Sequence, residues 1–102
     1  MNLRYRLGKS NVAYFCLNRP QAHNALNMEL IREMRQALRE MEGLRALVLT
    51  GEGKTFCAGG DLKWMEEMTK QEVSGRMKDA EELALMLSEL NRVPFPVIGR
   101  IN

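Results

Sequence analysis

Leu3, Tyr5 and Leu7 alternate with Asn2, Arg4 and Arg6, which is the two-residue period of a strand with one buried face. Gly8, Lys9, Ser10 and Asn11 then read as a turn. The run Val12-Ala13-Tyr14-Phe15-Cys16-Leu17 is β-branched and aromatic enough to predict the buried second strand of a hairpin, stopped by Asn18-Arg19-Pro20. Beyond it the period changes. Leu30, Ile31, Met34, Ala37, Leu38 and Met41 recur at helical spacing, with Asn27 placed as an N-cap and Gly43 as the C-terminal exit. Ala46-Leu47-Val48-Leu49-Thr50 is too short for a helix and lacks alternation, so it predicts a strand buried on both faces.

After a glycine-rich stretch, Leu62, Met65 and Met68 predict a short helix opening at Asp61, with Trp64 beside them. Val73, Met77, Ala80, Ala84, Leu87 and Leu90 predict the apolar stripe of a longer helix that stops between Asn91 and Pro94. Val97-Ile98-Gly99-Arg100-Ile101 reads as another buried strand. This alternation of strands and helices predicts one α/β unit over residues 1–102 with a largely parallel sheet. Because the sequence stops inside a parallel strand without a closing element, it is expected to be part of a longer protein.

Composition narrows the function classes. The 102 residues are 45% apolar and 27% charged, as in a soluble globular unit. Net charge is only +2, with eight basic and four acidic residues in the first fifty and seven and nine in the rest, so no nucleic-acid partner is expected. The longest apolar run, Val12–Leu17, is six residues, far short of a bilayer span, and no signal peptide opens the chain. No membrane partner and a cytoplasmic location are expected. The acid-free stretch before Glu29, with four basic residues, leaves import into the mitochondrial matrix open. Cys16 and Cys57 lie far apart in no CxxC or Cys/His pattern, which argues against a disulfide framework or a metal site.

The chemistry concentrates in Gly51-Glu52-Gly53-Lys54-Thr55-Phe56-Cys57-Ala58-Gly59-Gly60-Asp61-Leu62, which joins a predicted strand to a predicted helix. Two glycines just before a helix let backbone N–H groups point into open space, where the helix dipole adds to their pull on a phosphate or a developing oxyanion. It is not a Walker P-loop, since no glycine stands at position 48, and it contains no GxGxxG. The residues alone equally allow a tight turn with Asp61 as an N-cap.

Leu17-Asn18-Arg19-Pro20, then Asn24-Ala25-Leu26, then Gly51-x-Gly53 and Phe56-Cys57-Ala58-Gly59-Gly60-Asp61-Leu62, together resemble the crotonase superfamily, the enoyl-CoA hydratase/isomerase family. The likeness runs over essentially the whole chain. It implies the N-terminal part of a crotonase-like ββα spiral, acting on a 2-enoyl-CoA by hydration or isomerisation through a stabilised thioester enolate. By that resemblance the Gly60 N–H is one of two oxyanion-hole donors, each stabilising the transition state by roughly 3 kcal/mol. Main-chain groups at Gln21, Ala22, Ala25 and Ala58 would cradle the coenzyme A, and Asp61 and Leu62 would open the helix lining the acyl pocket. Family members often carry a basic residue where Gln21 stands. The resemblance further implies that the second donor, the acid/base glutamates and the helices that build a trimer or hexamer follow Asn102. No cofactor is expected beyond the coenzyme A of the substrate.

Other residues have competing readings. His23 is expected to be a surface turn histidine rather than a base, and Cys57 a small buried hydrophobe rather than a nucleophile. Glu66 and Glu67 read as a solvated helix face, Trp64, Met65 and Met68 as core, and Arg32, Arg35, Arg39 and Arg45 as solubilising charge. A second function class also stands: a catalytically inactive, truncated module that pairs with another chain through an exposed last strand and uncovered helix faces.

Overall fold

A computed structural model describes every residue from Met1 to Asn102. Four strands, β1 (Leu3–Leu7), β2 (Val12–Leu17), β3 (Ala46–Gly51) and β4 (Val97–Gly99), form one sheet in that order. β1 and β2 pair antiparallel, whereas β2 with β3 and β3 with β4 pair parallel. Helix α1 (Met28–Glu40) connects β2 to β3, and α2 (Leu62–Thr69) with α3 (Val73–Arg92) connects β3 to β4. The result is the α/β order expected, a mixed and mostly parallel sheet.

Local chemistry sets the corners. In the hairpin turn Ser10 and Asn11 are left-handed, with φ of 58° and 59°, and the Gly8 N–H donates to the Val12 carbonyl at 2.7 Å. A Cβ at Gly8 would stand 2.6 Å from the Tyr14 ring, so the turn needs glycine there for close approach. At the start of α1 the Asn27 side chain accepts the Leu30 N–H at 2.9 Å, as its N-cap assignment requires. Gly43, with φ of 65°, lets the chain leave α1 for β3. No helix is long and apolar enough to cross a membrane.

The core lies on one face of the sheet. Leu3, Ala13, Phe15, Leu17 and Leu47 meet Leu30, Ile31, Met34, Ala37 and Leu38 of α1, closed off by Trp64 of α2 and Met86 of α3. The register Tyr14↔Val48↔Ile98 places the alternate side chains of the strands on the opposite face, which no helix covers. This corrects three expectations about burial. Within this stretch β3 is fully buried only at Leu47 and Gly51, because none of its helices covers the other face. Leu7 is 57% exposed and Tyr5 half-exposed, because β1 is an edge strand covered only near Leu3. Val97, Ile98 and Ile101 are exposed, and the last strand ends at Gly99 instead of running to Ile101.

The buried stripe of α3 also differs. Met86 is its one fully buried residue, flanked by half-buried Leu83 and Leu90, while Val73, Met77, Ala80, Ala84 and Leu87 face outward. Ion pairs with α1 accompany the inward-facing stripe. Arg35 of α1 reaches Glu82 at 3.5 Å and Glu89 at 2.8 Å, and Arg32 reaches Glu82 at 3.3 Å. Glu82 and Glu89 lie on the Leu83–Met86–Leu90 side of α3, so turning Met77 and Leu87 inward would separate both glutamates from their arginines. Arg32 and Arg35 therefore dock one helix on another, which a purely solubilising role does not describe.

Candidate functional site

The site is built where two loops run side by side at the C-terminal ends of β2 and β3. After β2, Pro20–Ala22 makes one turn of 3-10 helix, and His23 and Asn24 follow in the left-handed region with φ of 53° and 57°. Asparagine tolerates that conformation because its short amide bonds locally. The Asn24 side chain is 0% exposed. Its Oδ1 accepts the Arg19 N–H at 2.7 Å, and its Nδ2 donates to the carbonyls of Glu52 at 2.9 Å and Thr55 at 2.7 Å. One buried amide thus ties the first loop to the glycine-rich second loop. Gly51 makes this approach feasible, since a Cβ there would lie 2.8 Å from Asn24 Nδ2 and 2.5 Å from the Phe56 carbonyl. From the other side, Asn102 Nδ2 donates to the carbonyls of Gly51, at 2.9 Å, and Gly53.

The two loops then pair through their main chains. The Ala58 N–H donates to His23 O at 3.0 Å, the Leu26 N–H to Gly59 O at 2.7 Å, and the Asp61 N–H to Leu26 O at 2.8 Å. Leu26 and Gly60 form a short parallel bridge. Gly59 has φ of 91°, a conformation suited to glycine, and turns the chain so that the next peptide faces outward. Gly60 is exposed, and its N–H donates to no group of the chain. A Cβ at Gly60 would come within 3.1 Å of Met65 Sδ, so the missing side chain keeps this face open.

Asp61 opens α2. Its Oδ1 accepts the Trp64 N–H at 2.9 Å, and its Oδ2 pairs with Arg19 Nη2 at 3.0 Å. A second guanidinium nitrogen of Arg19 donates to the Ala25 carbonyl. The Arg19 and Asp61 side chains are only 11% and 14% exposed. The Trp64 N–H, followed by the bond and charge of Arg19, holds the Asp61 carboxyl below the usual carboxylate range against the opposing push of burial. Beneath the loop lies an apolar cavity of about 130 Å³, lined in part by Leu26, Phe56, Cys57, Met86, Leu87 and Leu90.

The residues singled out from the sequence fall along this paired strip. Gln21 and Ala58 are exposed, Ala22 and Asp61 half-buried, Leu62 exposed, and Ala25 buried. The Ala25 N–H donates to Ala22 O at 3.0 Å, and the Ala58 N–H is likewise engaged, so both residues meet any ligand without a free amide donor. His23 is exposed, with Nδ1 3.4 Å from Thr55 Oγ1. Cys57 is half-buried, and its sulfur accepts the Gly59 N–H at 3.5 Å. Trp64 is buried and Met68 partly so, whereas Met65 is exposed beside Gly60. Glu66 and Glu67 face solvent. No group of three His, Cys, Asp or Glu side chains comes together as a metal site would need. Arg19, Asn24 and Asn102 organise the strip yet were not singled out as site residues. Their signal in the sequence is faint: Arg19 and Asn24 belong to the NRP and NAL motifs, and Asn102 stands alone after a strand.

An unpaired backbone donor at a helix N-terminus, beside loops whose Leu26, Phe56 and Cys57 line a small apolar cavity, can attract an anion or a polarised carbonyl oxygen. The family profile described as Enoyl-CoA hydratase/isomerase matches residues 8–102. The chain belongs to the enoyl-CoA hydratase/isomerase (crotonase) family and corresponds to the N-terminal part of its members. It is 35% identical to YngF of Bacillus subtilis (strain 168), over 99% of this chain and 39% of that protein. It is 33% identical to the enoyl-CoA isomerase/hydratase fer4 of Mycosarcoma maydis, over 91% of this chain and 37% of that one. Among solved structures, an enoyl-CoA hydratase from Shewanella pealeana ATCC 700345 superimposes with a TM-score of 0.92 at 35% identity, covering 100% of this chain and 39% of the other. AtuE of Pseudomonas aeruginosa superimposes with a TM-score of 0.92 at 28% identity, covering 100% and 40%. The chain therefore spans about two-fifths of the length of these relatives.

Proposed function

We propose that this chain supplies the coenzyme A edge and one oxyanion donor of an enzyme that hydrates or isomerises a 2-enoyl-CoA. The observation that carries the reading is the unpaired N–H of the exposed Gly60 at the start of α2. Adding water to an enoyl thioester, or moving its double bond, passes negative charge onto the thioester oxygen. A preorganised N–H aimed at that oxygen gains strength as the charge develops, and so stabilises the transition state more than the substrate. The dipole of α2 adds to the pull.

On this reading the exposed strip at Gln21, Ala22 and Ala58 meets the coenzyme A. Ala58 presents its carbonyl, since its N–H is spent on His23, and Ala25 shapes the wall from within. Asp61 acts through its cap on α2, and Leu62 borders the acyl group. The second donor and the acid/base groups come from residues beyond this stretch, as does assembly into a trimer or hexamer. The decisive experiment is an acyl-CoA complex of the protein as its gene encodes it, together with an assay of crotonyl-CoA hydration. The thioester oxygen is expected within hydrogen-bond reach of the Gly60 nitrogen. Density for that oxygen elsewhere overturns the assignment.

A second reading, a non-catalytic module that pairs with another chain, draws on the exposed apolar side chains Leu62, Met65, Met77 and Leu87 along α2 and α3. Hydratase turnover by the protein as its gene encodes it rejects it, whatever the oligomeric state. A defined oligomer that binds no acyl-CoA favours it.

A further inference from the structure

Gly60 has no side chain to hold it and follows a glycine with φ of 91°, so the direction of its N–H depends on how its neighbours are pinned. Two main-chain bonds to Leu26, from the Leu26 N–H to Gly59 O and from the Asp61 N–H to Leu26 O, fix the peptides on either side. Both converge on Leu26 of the neighbouring loop, and the Ala58 N–H to His23 O bond extends the same pairing. A side chain braces it beside Gly60. Arg19 donates from one nitrogen to the carbonyl of Ala25, next to Leu26, and from another to the Asp61 carboxylate, next to Gly60. Its fork therefore spans from one loop to the other on either side of the Leu26–Gly60 bridge.

We infer that Arg19 is a positioning residue, which aims the Gly60 N–H at the thioester oxygen by locking Asp61 to the Ala25 carbonyl. The inference rests on the proposed oxyanion role of Gly60. Arginine suits the task because its planar guanidinium holds two acceptors in fixed relative directions, whereas a lysine ammonium is a single point donor. Asp61 is a suitable partner because its other oxygen is already committed to Trp64, so its carboxylate cannot swing with the peptide. The strut is sheltered from water, with both side chains less than one-sixth exposed. The Arg19 backbone N–H bonds to Asn24, so replacing the side chain leaves that anchor of the loop in place.

The test uses the protein as its gene encodes it, titrated with free CoA and with cinnamoyl-CoA, whose absorption moves to the red when its carbonyl oxygen is polarised. Wild type is expected to bind both, with a red shift for the thioester. Arg19→Met and Arg19→Lys are expected to keep CoA affinity within about two-fold while losing about half or more of the red shift, with about 10-fold lower kcat and little change in KM. Full retention of the red shift in both variants overturns the inference and leaves the proposed function standing. Loss of CoA affinity in parallel with the red shift also overturns it, because a merely structural arginine would behave that way. A wild type that binds cinnamoyl-CoA with no red shift refutes the oxyanion role itself, and the positioning role with it.

Discussion

Replacing Asn24 by alanine removes a side chain that is 0% exposed and makes three hydrogen bonds, to the Arg19 N–H and the Glu52 and Thr55 carbonyls. Each such bond contributes about 1 kcal/mol net, and a buried group left without a partner adds to the loss. Alanine also carries about 1 kcal/mol more strain than asparagine at the observed φ of 57°. The expected cost is about 4 kcal/mol. With 15 of 102 residues buried, the chain is expected near the lower end of the usual range of about 5–15 kcal/mol, so Asn24→Ala should bring it close to its unfolding midpoint in water. Urea unfolding followed by far-ultraviolet circular dichroism at pH 7 measures this directly. Asn24→Gly separates the two causes, because glycine relieves the strain and should recover about 1 kcal/mol without restoring any bond. Asn24→Asp should do no better than alanine, since a carboxylate would face two carbonyls with no proton to offer. A loss below about 1 kcal/mol for alanine, or no gain from glycine, would refute the claim that this amide holds the two loops together.

Met86→Ala is expected to cost about 2–5 kcal/mol and Met77→Ala less than about 0.5 kcal/mol in the same urea assay, because the first is buried and the second 66% exposed. The reverse order would restore the stripe expected from apolar spacing. Gly51→Ala is expected to unfold the chain or prevent expression, as its Cβ would overlap the Phe56 carbonyl, whereas Gly59→Ala meets no atom and should cost only the backbone strain of a positive φ, about 1–2 kcal/mol. Equal effects of the two, measured by thermal melts, would count against the close approach at Gly51. Asp61 is expected to contribute stability that is complete above the ordinary aspartate value of about 3.9 and is lost as pH falls through its lower folded value. Asp61→Asn should therefore flatten the acid limb of a stability–pH profile below about pH 4, and an unchanged limb would show that the Trp64 and Arg19 contacts do not stabilise the ionised form.

The elements were legible in the sequence where one period dominated. Leu30 to Met41 has a single apolar stripe and a capping Asn27, and α1 formed accordingly. The paired motifs around Asn18-Arg19-Pro20 and Gly59-Gly60-Asp61 pointed to the family to which the chain belongs. Burial was less legible, for stated physical reasons. α3 carries two stripes of apolar residues, and contacts with distant segments, the α1 arginines among them, accompany the one that packs inward. The β3 run looked symmetrical because Val and Leu side chains do not record which face of a sheet has a cover. Within the site, a glycine pair signalled an open backbone, but nothing at positions 19 and 24 revealed that their side chains cross between loops. Such contacts span 42 residues for Arg19 with Asp61 and 31 for Asn24 with Thr55, beyond the reach of any local pattern.

The pairing of residues 22–26 with 57–61 is made of backbone bonds at Ala58, Leu26 and Asp61, braced by the side chains of Arg19 and Asn24. Inheritance of the strip should accordingly be uneven: Cys57 and Ala58 are free to drift, while Arg19, Asn24, Gly51 and Gly59 are not. For judging whether a distant relative retains the donor, small residues at the two bends are better evidence than the chemistry of the loop between them.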